Sequence, residues 1–193
     1  MTKGRMEAFS DGVIAVIITI MVLEMKAPRG AGIVALRPLV PTFFSYVLSF
    51  IYVGIYWNNH HHLLHATQHV TGGILWANLH LLFWLSLTPF ATAWMGDNHF
   101  ASWPVAFYGT LLLLAGIAYF ILTKALIARH GTESTLAASI GNDRKGKVSL
   151  VIYAVAIPLS FLHSWIACGF YALVAVMWLV PDPRIERTLA KER

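Results

Sequence analysis

Charged residues are scarce in this sequence, and their scarcity decides its broad class. Only 12% of the 193 residues are Asp, Glu, Lys or Arg, whereas soluble domains average roughly 25%. Hydrophobic residues make up 58% of the chain, and the mean hydropathy is +0.65. A soluble protein of this length could not bury so much apolar surface. The sequence therefore predicts an integral membrane protein in contact with membrane lipid.

Cysteine is almost absent, and catalytic motifs are missing. The single cysteine, Cys168, lies in an apolar run and has no partner for a disulfide within the chain, so redox chemistry is not expected. The nine acidic residues supply no paired carboxylates. The sequence also contains no Walker loop, nucleotide fingerprint or Ser-His-Asp order. We therefore expect neither an enzyme nor a bound cofactor.

The chain does contain a series of apolar runs separated by short polar gaps. Measured against the roughly 20 residues that cross a bilayer, these runs predict a single all-α domain over residues 1–193 with six transmembrane helices. The last two helices come from one long run, 148–180, with a turn expected at His163, Ser164 and Trp165. The predicted helices lie near residues 7–26, 37–63, 71–95, 102–128, 147–163 and 165–181.

The distribution of basic residues predicts the orientation of these helices in the membrane. With a cytoplasmic N-terminus, only Lys26, Arg29 and Arg37 fall outside, whereas 11 of the 14 basic residues fall inside. Cytoplasmic segments of membrane proteins carry such an excess. We therefore expect a multi-pass protein of the cell membrane with both termini in the cytoplasm, and we attribute the pI near 9.5 to topology rather than nucleic-acid binding. The inside set is Lys3, Arg5, Lys124, Arg129, Arg144, Lys145, Lys147, Arg184, Arg187, Lys191 and Arg193.

The first predicted helix is too polar to face lipid. Only twelve uncharged residues separate Asp11 from Glu24, and at a rise of 1.5 Å per residue they span about 18 Å, against roughly 30 Å of hydrocarbon. An ionisable side chain this close to the membrane core is costly in lipid. We therefore expect this helix to lie near the centre of an assembly, with its ends against protein or water.

Four residues of this helix share one face. Gly12, Val16, Thr19 and Leu23 are spaced i, i+4, i+7 and i+11, which aligns them on a helix. One interpretation is a packing seam, in which small residues allow close approach and Thr19 donates to the Ala15 carbonyl. The other is a pore lining. Spacing alone leaves both interpretations open.

A short motif precedes this stripe. Residues 5–11 read R-M-E-A-F-S-D, which matches R-x-x-x-F-S-D, the signature of the transmembrane protein 175 family of potassium channels, found in prokaryotes and in animal endosomes and lysosomes. The sequence resembles that family across all six predicted helices, most strongly in the first three. Further matching residues are Trp57, His60, His61, Asn78, Pro89 and Phe90.

The resemblance implies a function and an assembly. It implies a homotetramer that conducts potassium ions through a central pore lined by the first helices, with a hydrophobic gate and no T-V-G-Y-G filter loop; no such loop occurs here. The constriction positions correspond to Val16, Thr19 and Leu23, and Val16 departs from the isoleucine or leucine common there. Four Thr19 hydroxyls would partly replace the water of the ion while the apolar rings set the width.

The resemblance also favours a polar network that holds the pore helix. Arg5 and Asp11 are six residues apart and are not natural i, i+4 partners, so each is expected to reach another helix. The network is expected to involve His60, His61 or Asn78, beside the motif residues Phe9 and Ser10. The local alternative is that Ser10 caps a helix that begins there.

Glu24 lies at the outer end of the stripe. In a tetramer, four copies would form a negative mouth that concentrates cations. The alternative is an ordinary interfacial anchor.

Two other classes of function remain open. His61, His65 and His69 are spaced i, i+4 and could hold a metal in a membrane metalloenzyme, although we expect these histidines to be interfacial or hydrogen-bonded and expect no metal site. A proton-coupled transporter or a proton-conducting channel is the second alternative.

Overall fold

The computed structural model describes residues 2–65, 67, 70–130 and 143–179, and all regular secondary structure within them is helical. His69 and the predicted cytoplasmic residues Arg184, Arg187, Lys191 and Arg193 lie outside the described residues. The helices are α1 Lys3–Leu23, α2 Val40–His65, α3 Gly72–Ser86, α4 Thr88–Asp97, α5 Ser102–His130, α6 Arg144–Leu162 and α7 Ser164–Leu179, with a short 3-10 helix Ile33–Leu39 before α2.

The helices have the length and composition of a polytopic membrane protein. Among the described residues, five helical stretches are long and apolar enough to cross a bilayer: Lys3–Leu23, Ile33–Leu64, Gly72–Asp97, Ser102–Arg129 and Arg144–Leu162. The apolar α7 has 16 residues, about 24 Å at the helical rise, less than roughly 30 Å of hydrocarbon. The all-α fold of apolar helices is confirmed, and the sixth crossing stays a prediction.

The third predicted helix, 71–95, is broken. Residue Leu87 separates α3 from α4, and Pro89 lies in the first turn of α4. Proline has no backbone N–H and its ring clashes with the carbonyl four residues earlier, so a continuous helix cannot run through it without a kink. The third predicted helix is therefore two helices, α3 and α4, of which α4 packs on α2.

The first helix also differs from its predicted bounds. It begins at Lys3 rather than residue 7 and ends at Leu23 rather than residue 26. Ser10 therefore lies inside the helix, where its hydroxyl donates a 2.8 Å hydrogen bond to the Met6 carbonyl. The alternative that Ser10 caps the helix is wrong, because the polar turn before it is already helical.

The last two helices form an antiparallel hairpin. His163 is extended, with φ −160° and ψ 107°, between the end of α6 and the start of α7. The Trp178 indole near the end of α7 donates a 2.9 Å hydrogen bond to Ser149 near the start of α6. The hairpin packs with α2, α4 and α5 around one apolar core, which includes Tyr108, Ala156 and Val174.

A second apolar core fixes the place of α1. It joins α1 to α2, α3 and α5 through residues such as Ile17, Leu64, Leu81 and Leu122. Helix α1 packs on α2, α3 and α4 at one edge of the chain. One side of α1 is consequently left uncovered.

Candidate functional site: the first helix and its supports

Helix α1 has a buried face and an exposed face. The buried face consists of Met6, Ser10, Ile14, Ile17 and Met21. The stripe predicted from the sequence lies on the opposite side, about 150° away at roughly 100° per residue. Its residues Gly12, Val16, Thr19 and Leu23 are all exposed on the protomer, with Val16 55% and Leu23 71% exposed.

The Thr19 hydroxyl is satisfied within its own helix. It donates a 2.9 Å hydrogen bond to the Ala15 carbonyl. A hydroxyl that donates its one proton in this way still has acceptor capacity on its oxygen. The exposed Thr19 oxygen is thus oriented by α1 itself and can contact a cation.

A buried polar network fixes the N-terminal half of α1. The Asn78 side-chain nitrogen donates a 2.9 Å hydrogen bond to the Ser10 hydroxyl, and the Asn78 oxygen lies 2.7 Å from His60 Nε2. All three side chains are buried. The network joins α1, α3 and α2, and His60 Nδ1 has no hydrogen-bond partner among the described residues.

Two further contacts surround this network. The Trp57 indole donates a 3.0 Å hydrogen bond to Asp11, and His61 Nδ1 lies 3.2 Å from a Glu7 carboxylate oxygen. Both contacts tie α1 to α2. The structure thus brings Ser10, Asp11, His60, His61 and Asn78 around one end of α1.

Two motif residues stand apart from this network. Arg5 is exposed and Phe9 is 51% exposed on the chain. Among the described residues, no side-chain hydrogen bond or ion pair reaches the side chain of either. Glu24, at the other end of α1, is also exposed and forms the C-cap of the helix.

A second polar contact, which sequence reasoning missed, reaches the C-terminal half of α1. Thr92 Oγ1 in α4 lies 3.8 Å from the Met21 sulfur and 2.7 Å from Ser49 Oγ in α2. Ser49 Oγ lies 3.0 Å from the Tyr108 hydroxyl in α5. Isolated hydroxyl residues in apolar helices form no periodic pattern in the sequence. Only the fold shows that Thr92, Ser49 and Tyr108 are in contact.

A buried tyrosine cluster holds the helices behind this contact. The Tyr52 hydroxyl donates 2.7 Å to the Tyr171 carbonyl, and the Tyr153 hydroxyl donates 3.2 Å to Tyr52. The Tyr171 hydroxyl donates 3.2 Å to the Val105 carbonyl. Buried tyrosines combine large apolar area with a hydroxyl that needs a partner. The cluster therefore fixes α2, α5, α6 and α7 as a common support.

The protomer also has a small cavity that lies apart from α1. Its volume is about 50 Å³, and its lining comes from α2, α5, α6, α7 and Asp143. A buried water needs roughly 10–15 Å³, so the cavity holds a few water molecules at most.

The histidine-rich segment shows no metal-binding group in its described part. Among the side chains that the structure describes, no three His, Cys, Asp or Glu residues come together. His61 instead stacks on Trp57 with ring centroids 6.2 Å apart and contacts Glu7. Of the predicted triad, His69 and the His65 side chain lie outside the described part of the chain.

The sequence is similar to a family of channels and to individual members of it. A family model described as the endosomal/lysosomal potassium channel TMEM175 matches residues 5–89, a range that contains the Ser10–Asn78–His60 network. A protein from Chryseobacterium sp. (strain P1-3) named as a potassium channel is 56% identical over 189 residues, which is 98% of each chain. The protein of Mus musculus named as the endosomal/lysosomal proton channel TMEM175 is 32% identical over 207 residues, 95% of this chain and 40% of the mouse protein.

A solved structure shares the fold. The crystal structure of a lysosomal potassium-selective channel TMEM175 homolog from Chamaesiphon minutus superposes with a TM-score of 0.78 at 28% sequence identity. The match covers 92% of this chain and 96% of that chain. The overall arrangement of the helices therefore also occurs in a solved channel.

Proposed function

The chain belongs to the TMEM175 family and is a potassium channel of a membrane, and we propose that potassium ions pass along the exposed face of α1 in a homotetramer. The observation that carries this proposal is the division of α1 into two faces. The face with Ile14, Ile17 and Met21 is buried in the protomer, whereas Val16, Thr19 and Leu23 are exposed.

A single exposed face cannot enclose an ion path, so the proposal requires several copies of α1 around an axis. The exposed side of α1 also includes Phe9, Ile20 and Val22 and is broader than the stripe. The centre of this side can line the path while its flanks contact the neighbouring copies. Four copies, as in prokaryotic members of the family, would place four Val16, four Thr19 and four Leu23 side chains around the axis.

The proposed constriction controls conduction by excluding water from the pore. Rings of apolar side chains in a narrow pore exclude water and block ions, and small movements of the helices restore conduction. The four Thr19 oxygens partly replace the hydration shell in such a pore. Potassium gives up its water more easily than sodium, so a constriction that removes part of the shell favours potassium.

The buried network gives α1 its position in this proposal. Ser10, Asn78 and His60 fix the N-terminal half of α1 to α3 and α2, and Trp57 holds Asp11 beside them. Arg5 and Phe9, exposed on the protomer, are available to a neighbouring copy. In this proposal both termini lie in the cytoplasm and the channel in the cell membrane, and the excess of basic residues in the inside segments supports this orientation.

Cysteine accessibility tests the path. In a Cys168→Ser background, purified Thr19→Cys and Leu23→Cys channels in planar bilayers should lose potassium current when a charged methanethiosulfonate is added, because the reagent reacts only in water. The control is Val151→Cys on α6, which is 64% exposed on the protomer and faces lipid in this proposal. Full current at both stripe positions after prolonged exposure would contradict a pore along α1.

A proton current is the second candidate function. It is favoured by one specific observation, the 32% identity to the mouse protein named as a proton channel. The same bilayers with a pH gradient and no potassium gradient separate the two functions. A reversal potential displaced from zero toward the proton equilibrium potential indicates protons, and one that stays at zero indicates potassium.

A further inference from the structure

The C-terminal half of α1 has one polar side-chain contact with the rest of the protomer among the described residues. It is the 3.8 Å contact between the Met21 sulfur and Thr92 Oγ1. Met21 is buried and lies between Thr19 and Leu23 in sequence. A displacement of Met21 therefore moves both neighbouring stripe residues, because a helix moves as a rigid element.

Thr92 is the end of a chain of buried hydroxyls. Its oxygen lies 2.7 Å from Ser49 Oγ and 2.7 Å from the Thr88 carbonyl, and Ser49 Oγ lies 3.0 Å from the Tyr108 hydroxyl. Each hydroxyl has one proton. The single Thr92 proton therefore has three acceptors within reach, the Ser49 hydroxyl, the Thr88 carbonyl and the Met21 sulfur. Between Ser49 and Tyr108, either hydroxyl can donate.

The position of α4 is itself tightly fixed. Pro89 lies in the first turn of α4, directly after the break in the third helix. Gly96 then packs directly on α2, where an added Cβ would lie 2.6 Å from the Thr42 Cα and 2.6 Å from Ser45 Oγ. Ser45 Oγ also lies 3.1 Å from the Thr92 carbonyl oxygen. Thr92 thus has little room to move relative to α2.

From these contacts we infer that Thr92, held by Ser49 and Tyr108, is a positioning residue that sets the distance of the outer half of α1 from the pore axis. This inference rests on the proposed function, since it assigns Thr92 an effect on the proposed constriction at Thr19 and Leu23. Ser10, Asn78 and His60 fix one half of α1 and Thr92 fixes the other. The apolar residues Ile14 and Ile17 lie between the two contacts.

The potassium-to-sodium permeability ratio distinguishes a positioning role of Thr92 from a purely stabilising role. Reversal potentials of purified channels in planar bilayers, with potassium on one side and sodium on the other, give the permeability ratio. Thr92→Val keeps the shape but removes the hydroxyl, and we expect the ratio to fall by at least about twofold, the scale of one lost hydrogen bond. Thr92→Ser, which keeps the hydroxyl, should retain the wild-type ratio.

Two variants complete the test. Thr110→Val removes a hydroxyl that bonds only the Ala106 carbonyl and should leave the ratio unchanged. Met21→Leu keeps the volume of the side chain and removes the sulfur, so it should lower the ratio, and adding Thr92→Val to it should cause less than the sum of the two changes.

The outcomes are distinct. An assembled Thr92→Val channel with the wild-type ratio overturns the inference and leaves the proposed function intact, whereas a wild-type protein without potassium selectivity contradicts the proposed function. If Thr92→Val does not assemble, Met21→Leu decides: a wild-type ratio in that variant overturns the inference, and a lowered ratio supports it.

Discussion

The Asn78 amide donates a 2.9 Å hydrogen bond to the Ser10 hydroxyl across 68 residues of sequence. The oxygen of the same amide is an acceptor and lies 2.7 Å from His60 Nε2. One side chain on α3 therefore links α1 to α2 and α3. Ser10 belongs to the R-x-x-x-F-S-D motif, whereas its partner Asn78 lies outside it. The position of this motif in the fold therefore depends on a distant residue.

Removal of Asn78 should destabilise the protein. Asn78→Ala removes the donor to the buried Ser10 hydroxyl, which keeps only its bond to the Met6 carbonyl, and leaves the buried His60 imidazole without a side-chain partner. An unsatisfied buried polar group costs about 1–3 kcal/mol. We expect the midpoint of thermal unfolding in detergent, followed by tryptophan fluorescence, to fall by several degrees. Asn98→Ala is the matched control, because the exposed Asn98 amide bonds only the Trp94 carbonyl. Equal midpoints for the two variants would contradict a structural role of the network.

The sequence predicted the parts of this site that depend on local pattern. The stripe on α1 follows from the helical period, and the exposed side chains of Val16, Thr19 and Leu23 share one face as expected. The break at His163 was also visible, because one apolar run was too long for one helix. Such patterns depend only on residues close in sequence, so they can be recognised without knowledge of the fold.

The sequence did not predict the parts that depend on contacts between distant residues. Tyr52 bonds Tyr171 across 119 positions, and Thr92 reaches Met21 across 71. Each residue alone looks like an ordinary member of an apolar helix. The break before Pro89 did have a local signal, since proline cannot continue a helix undisturbed, but the apolar run around it favoured one continuous helix.

Close packing of α5 on α7 makes Gly109 sensitive to substitution. An added Cβ there would overlap the Tyr171 hydroxyl and lie 3.1 Å from Ile157 Cγ1. Overpacking of a filled core costs typically about 1–3 kcal/mol, so Gly109→Ala should lower the thermal midpoint. Gly169→Ala is the control, because nothing lies within 4 Å of its added Cβ, and it should leave the midpoint unchanged or raise it. A lower midpoint for Gly169→Ala than for Gly109→Ala would refute this packing argument.

The Thr19 hydroxyl should contribute to potassium selectivity. Thr19→Val keeps the volume of the side chain but removes the oxygen that we propose contacts the ion, so the permeability ratio of potassium to sodium should fall. Thr110→Val is the matched control, since Thr110 also donates 2.9 Å to the carbonyl four residues earlier. Reversal potentials in bilayers measure both variants. An unchanged ratio in Thr19→Val would reject this role for the hydroxyl and leave the apolar rings as the source of selectivity.

Glu24 should affect conductance in a manner that depends on salt. Its side chain is exposed at the end of α1, next to Leu23 of the proposed constriction, and four copies would attract potassium to the pore mouth. Glu24→Gln should therefore lower single-channel conductance at low potassium concentration. The difference should vanish near 1 M salt, where the Debye length falls to about 3 Å. Lys26→Gln, which removes a nearby exposed positive charge, should raise conductance under the same low-salt conditions. If Glu24→Gln and the wild type have the same conductance at every concentration, the carboxylate does not act on the ion path and serves only as an anchor at the membrane surface.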